Sequence, residues 1–126
     1  NMFIFGLNKN EVEDLWTKGY HSSEYYANNS HLQRIIDRLG YGFAGQSFAD
    51  IGSYLLSGQG VADPYMCLAD FESYRSIHEK ALEIYKKPEV WNRMSLMNIA
   101  SAGYFSADRA IKEYADNIWR LKRLND

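Results

Sequence analysis

Asp70-Phe71-Glu72-Ser73-Tyr74-Arg75-Ser76-Ile77-His78-Glu79-Lys80-Ala81-Leu82-Glu83-Ile84-Tyr85-Lys86-Lys87-Pro88 decides how this chain folds. Tyr74, Ile77, Ala81, Ile84 and Tyr85 fall at the intervals that line one face of an α-helix. Asp70 is expected to cap its start. Lys86-Lys87-Pro88 is expected to break it, because the residue before a proline avoids helical geometry. Pro88 in turn suits the first position of a following helix, which Trp91, Met94, Met97 and Ile99 carry on to Gly103. Ser106 then caps a last helix with Asp108 in its first turn and an apolar stripe of Ile111, Tyr114, Ala115, Ile118 and Trp119. Arg120, Lys122 and Arg123 are placed in its final turn, where cations complement the negative end of the helix dipole.

Toward the N-terminus the same signals recur. Asn8 with Glu11 reads as a capping box ahead of Val12, Leu15 and Trp16, and Gly19 as the stop. Ser30 with Gln33 opens a helix of Leu32, Ile35, Ile36 and Leu39 ended by Gly40, and Ser47 with Asp50 opens one carrying Ile51, Leu55 and Leu56. Met2-Phe3-Ile4-Phe5-Gly6 is short, continuously apolar and ended by glycine, so it reads as a buried strand over residues 2–6. Nothing else in the chain alternates as a strand does, so its partners are expected from residues outside the chain or from a second copy. The expectation is a mainly α chain of about six helices over 8–124 and one short strand, forming one portion of a domain over 1–126. The first residue is Asn rather than Met, which supports the reading that the chain was cut from something longer.

Composition narrows the function classes. The 126 residues carry 14 Lys plus Arg and 16 Asp plus Glu, a net charge of −2 that removes the electrostatic footprint of nucleic-acid binding. Residues 1–63 hold 4 basic and 7 acidic side chains and residues 64–126 hold 10 and 9, so neither half is a charged tail. Hydrophobic residues make up 46%, enough for a core and against intrinsic disorder. One cysteine, Cys67, cannot close an internal disulfide, and no apolar run or leader pattern points to a membrane, so the cytoplasm is the expected compartment.

Each residue pattern that carries chemistry elsewhere has a plainer reading here. Gly40-Tyr41-Gly42-Phe43-Ala44-Gly45 matches the G-x-G-x-x-G string of dinucleotide-binding folds, but it follows a helix instead of a strand and reads as a helix-ending loop. No pair among His21, His31 and His78 has the i, i+4 spacing of a metal grip, and His21 with Glu24 reads as solvated. Cys67 sits in Tyr65-Met66-Cys67-Leu68-Ala69, an apolar setting that raises a thiol pKa and suits a structural cysteine. Asp70 and Glu72 read as helix-start acids before they read as an acid–base pair. Trp16, Tyr25, Tyr26, Tyr41, Phe43, Tyr74, Trp91, Tyr104, Phe105, Tyr114 and Trp119 read as core residues before they read as a sugar-stacking platform, since most sit at helical spacing. Lys9, Lys18, Lys80, Lys86, Lys87, Lys112 and Lys122 lack the apolar, glycine-rich setting of a Schiff-base lysine. No catalytic, cofactor-binding or metal-binding residue is expected.

Longer strings carry a resemblance. Trp91-Asn92-Arg93-Met94-Ser95-Leu96-Met97-Asn98-Ile99-Ala100, Gly103-Tyr104-Phe105-Ser106-Ala107-Asp108-Arg109, Glu113-Tyr114-Ala115 and Ile118-Trp119 resemble the extreme C-terminus of the glycogen, starch and maltodextrin phosphorylases. Upstream, Asn1-Met2-Phe3-Ile4-Phe5-Gly6-Leu7, Gly19-Tyr20, Glu24-Tyr25-Tyr26, Asp63-Pro64-Tyr65 and Leu68-Ala69-Asp70-Phe71 resemble the same family in the same order. The resemblance implies a piece of the C-terminal Rossmann-like α/β lobe of a two-lobed glycosyltransferase fold. It also implies a parent that uses pyridoxal phosphate to cleave terminal α-1,4-glucan bonds with phosphate, giving glucose 1-phosphate. The cofactor lysine and the glucan- and phosphate-binding residues of that family lie upstream of the matched stretch, so none is carried over. Asn98, Asp108, Arg109 and Tyr114 are expected to pack and cap. The loop over 40–47 is shorter than is usual in the family, and Arg120-Leu121-Lys122-Arg123 replaces its frequent Gly-Val ending. The expected role is architectural, with the remainder of the phosphorylase chain as partner and no activity in isolation. The alternatives are a free-standing helical module that binds a protein, and a homodimer formed by pairing the strand of two copies.

Overall fold

A computed structural model describes residues 1–58 and 60–122. In chain order the helices are α1 (Lys9–Lys18), α2 (Ser22–Ala27), α3 (Ser30–Tyr41), α4 (Ala49–Leu56), α5 (Cys67–Tyr85), α6 (Pro88–Ser101) and α7 (Ala107–Glu113). A 3-10 turn, Ala102–Phe105, joins α6 to α7, and a π-helical turn, Tyr114–Ile118, follows α7. Six of the helices correspond to those expected; α2 is additional, a short helix whose N-cap, His21, makes no side-chain capping bond.

The chain divides into two compact units, Phe3–Lys80 and a second made of Asn1–Met2 with the residues from Ala81 onward. The first has a core. Leu32 and Ile36 of α3 and Leu68 of α5 are buried together, with Tyr25, Tyr26, Leu55, Leu56 and Phe71 packed against them. Ser22 is buried beside them and donates to the Leu55 carbonyl at 2.7 Å, which satisfies its hydroxyl and ties α2 to α4. In the second unit no described residue is buried.

Several local expectations hold. Asn8 and Glu11 form the reciprocal capping box, Gly19 ends α1 at φ 87°, Pro88 opens α6, and Ser106 caps α7 by accepting from the Arg109 amide. Others shift. Asn29 rather than Ser30 caps α3, accepting from the His31 and Leu32 amides at 2.9 and 3.1 Å. The helix also runs past Gly40 to Tyr41 and is capped by Gly42. Asp70 lies inside α5, whose first amides are instead taken by Asp63.

For the strand expected at residues 2–6, the described residues supply no ladder partner. Residues 2–6 are outside any sheet, and the sole bridge among the described residues pairs Phe43 with Gln46. A strand needs a ladder partner, whereas here the amides of Gly6 and Leu7 donate to Ser73 Oγ (3.0 Å) and Asp70 Oδ1 (2.8 Å). Gly6 has φ 88°, and a Cβ there would lie 2.6 Å from Asp70 Oδ2, so this tether requires glycine. The last helix also departs: it ends as the π turn, with Arg120 at φ 52°. Arg120 and Lys122 therefore lie beyond it, and Arg123 lies outside the described residues.

Candidate functional site

Asp63 is the most enclosed ionisable group described, 1% exposed, and it organises the start of α5. Its Oδ1 accepts from the Cys67 amide at 2.9 Å, and its Oδ2 accepts from the Leu68 amide at 2.8 Å and from the Tyr20 hydroxyl at 2.7 Å. Three donors and the positive end of α5 compensate the buried carboxylate. The Tyr20 phenol is pushed well above its ordinary range by burial first and then by the Asp63 carboxylate it donates to. It is therefore a fixed donor and not an acid. Asp63 itself holds φ 47° and Met66 holds φ 54°, which folds the loop back so that a side chain four residues upstream can cap the helix. The Asp63-Pro64 dipeptide was the available signal, a turn former ahead of an apolar helix start.

The patterns with chemical readings are dispersed. Asp70 is occupied by the Leu7 amide, while Glu72 pairs with Arg75 at 2.9 Å and accepts from Asn29 Nδ2 at 2.7 Å. Those hydrogen bonds, the Arg75 one foremost, hold the Glu72 carboxyl below the usual range. Cys67 is exposed instead of structural, although desolvation and then the Asp63 carboxylate raise its thiol pKa and keep it a weak nucleophile. His21 and His31 are exposed, His78 stacks on Tyr74 at 5.7 Å, and the described residues hold no cluster of metal-ligating type. The glycine string runs from the last turn of α3 into the turn after it, where a Cβ on Gly42 would meet the Gln46 carbonyl oxygen at 2.2 Å.

Pyridoxal phosphate, which the resemblance implies, needs an enclosed amine. Lys9, Lys18, Lys80, Lys86, Lys87, Lys112 and Lys122 are all exposed, so the residues of this chain do not fit that group.

What remains is an apolar surface over residues 81–122. Phe105 is 82% exposed, Ile99 69% and Leu96 64%. Trp119, expected in a core, is 56% exposed and stacks only on Tyr114 at 5.8 Å among the described ring contacts. Trp91 is half-buried, edge-on to Tyr85 at 5.0 Å. Arg109 lies 4.1 Å over the Tyr104 ring, donates to the Tyr104 carbonyl and pairs with Glu113 at 2.5 Å, fixing the corner into α7. Large exposed apolar surface on an ordered scaffold marks a contact face. No described helix is long and apolar enough to cross a membrane.

Comparison with known proteins shows the family. The sequence profile of the carbohydrate phosphorylase family matches residues 1–121, and the chain belongs to that family. It is 39% identical over 122 residues to glycogen phosphorylase of Synechocystis sp., 38% to the liver form of glycogen phosphorylase of Homo sapiens and 40% to the muscle form of Ovis aries. Each alignment covers 97% of this chain and 14% of the relative, so the chain spans about one seventh of the length of these enzymes.

Proposed function

We propose that this chain is the closing, C-terminal segment of an α-1,4-glucan phosphorylase and that its role there is architectural. The parent enzyme cleaves the terminal α-1,4 bond of a glucan with inorganic phosphate. A phosphate oxygen joins the anomeric carbon, the glucan 4-oxygen leaves with a proton, and glucose 1-phosphate and a shortened glucan result. Pyridoxal phosphate and the glucan- and phosphate-binding residues belong to the rest of the parent. The observation that carries the reading is the unit beginning at Ala81: ordered helices without one buried described residue, in a chain that aligns with 14% of a glycogen phosphorylase. Helices of this kind gain stability from a face they cover, and the remaining length of the enzyme supplies that face.

A segment exchange tests this. Synechocystis glycogen phosphorylase lacking its matching segment is expected to be insoluble or inactive, and the same enzyme carrying residues 1–122 of this chain in its place is expected to recover phosphate-dependent glucose 1-phosphate release. A deletion variant that stays soluble and fully active would refute the architectural role.

A further inference from the structure

Tyr41, expected in a core, ends α3 and is 86% exposed. Unlike the apolar surface over residues 81–122, it belongs to the unit Phe3–Lys80, which closes a core of its own. Its ring stands on a groove of about 420 Å³ between α3 and α4. Asp37, one helical turn earlier on the same face of α3, lines the groove with it. That carboxylate takes the Tyr26 hydroxyl on Oδ1 at 2.6 Å, and no described residue donates to its Oδ2. Ser53 and Ser57 bring hydroxyls from the α4 side, and Ile36 adds an apolar patch. Gly40 completes the lining, and neither backbone nor crowding accounts for a glycine there. It is helical without a positive φ, a Cβ on it would meet nothing within 4 Å, and glycine weakens a helix relative to alanine. A side chain at position 40 would narrow the groove.

The lining holds one carboxylate and no cation, which disfavours phosphates and nucleotides. An exposed ring beside a carboxylate and hydroxyls suits a neutral polyhydroxyl chain, whose C–H faces stack on the ring while its hydroxyls donate to the carboxylate. We propose that the groove between α3 and α4 binds a stretch of α-glucan, with Tyr41 as the stacking plate and Asp37 as an acceptor. The inference rests on the reading of the parent as a phosphorylase, whose matched relatives are named for glycogen, and gives this chain a glucan contact in addition to those of the rest of the parent.

Co-sedimentation with glycogen and initial rates of glucose 1-phosphate release, both on the full-length protein, test it. Tyr41→Ala and the groove-narrowing Gly40→Leu are each expected to weaken glycogen binding about 2- to 10-fold and to raise KM for glycogen with kcat unchanged. Tyr41→Trp keeps an aromatic plate and is expected to bind glycogen as the unsubstituted protein does. Tyr65→Ala removes a ring that is 78% exposed outside the groove, and is expected to change nothing. Unchanged glycogen binding in Tyr41→Ala, or an equal loss in Tyr65→Ala, would overturn the proposal. A lowered melting temperature of Tyr41→Ala would show that the rest of the chain covers the ring and overturn it as well. Tyr41-dependent glycogen binding in a full-length protein that releases no glucose 1-phosphate would refute the phosphorylase reading and leave the groove standing. An active protein whose Tyr41→Ala variant binds glycogen unchanged would do the reverse.

Discussion

Asp63 shows how one residue sets the geometry of a whole helix. With its carboxylate accepting from Cys67, Leu68 and Tyr20, it fixes where α5 begins and ties that start to the segment after α1. Tyr20→Phe removes one donor from a buried charge and is expected to cost ~1.5–3 kcal/mol, read as a lower urea midpoint with unchanged slope. The same pair predicts a pH dependence. The Tyr20 phenol is raised in the folded state, so the unfolded chain ionises first; the pair contributes fully below the ordinary phenol value and its contribution is lost as pH rises above it. The alkaline fall in stability should therefore be shallower in Tyr20→Phe; an identical alkaline limb in both proteins would contradict the assignment. In the sequence, Asp70 looked the better cap because it stands directly before a helical period. The periodic signal cannot see that Met66 and Asp63 adopt left-handed backbone and bring an earlier carboxylate round to the helix start.

Among elements, helix positions were readable because capping residues and apolar period agree, as at Asn8, Pro88 and Ser106. Residues 2–5 are apolar enough for a strand, but its expected partners lie outside the chain, and strand formation depends on a partner that local sequence does not encode. The end of the last helix was misread because basic residues suit a final turn but do not enforce one. Here the Leu121 amide returns to the Ala115 carbonyl at 2.9 Å and the Trp119 amide to Tyr114 at 2.8 Å, a stop built on Arg120 at φ 52°. A non-glycine residue in that conformation is strained. Arg120→Gly is expected to stabilise the full-length protein by up to ~1 kcal/mol and to slow exchange of the Leu121 amide. Faster exchange at Leu121 would show that the arginine holds the turn by contacts that outweigh its strain.

Across the whole molecule, the two units predict opposite responses to the same kind of truncation. Leu68→Ala, in the core of the unit Phe3–Lys80, is expected to cost ~2–5 kcal/mol whether the chain is studied alone or within its parent. Leu96→Ala should be nearly silent in the isolated chain, where that side chain is 64% exposed, and costly in the parent. Trp119→Ala should likewise weaken the parent, by ~3–5 kcal/mol, with little effect on the chain alone. Of the residues weighed for chemistry in the sequence, Asp70 accepts from the Leu7 amide, Glu72 pairs with Arg75, and His21 and His31 are exposed. The apolar surface was hidden from sequence reading, because apolar period reports which residues want cover and not whether the chain itself supplies it. The most direct measurement of the central claim is phosphate-dependent release of glucose 1-phosphate from glycogen, assayed side by side on the isolated 126-residue chain and on the full-length protein that contains it. The account predicts release by the full-length protein and none by the chain; release by the chain alone, or none by either, would contradict it.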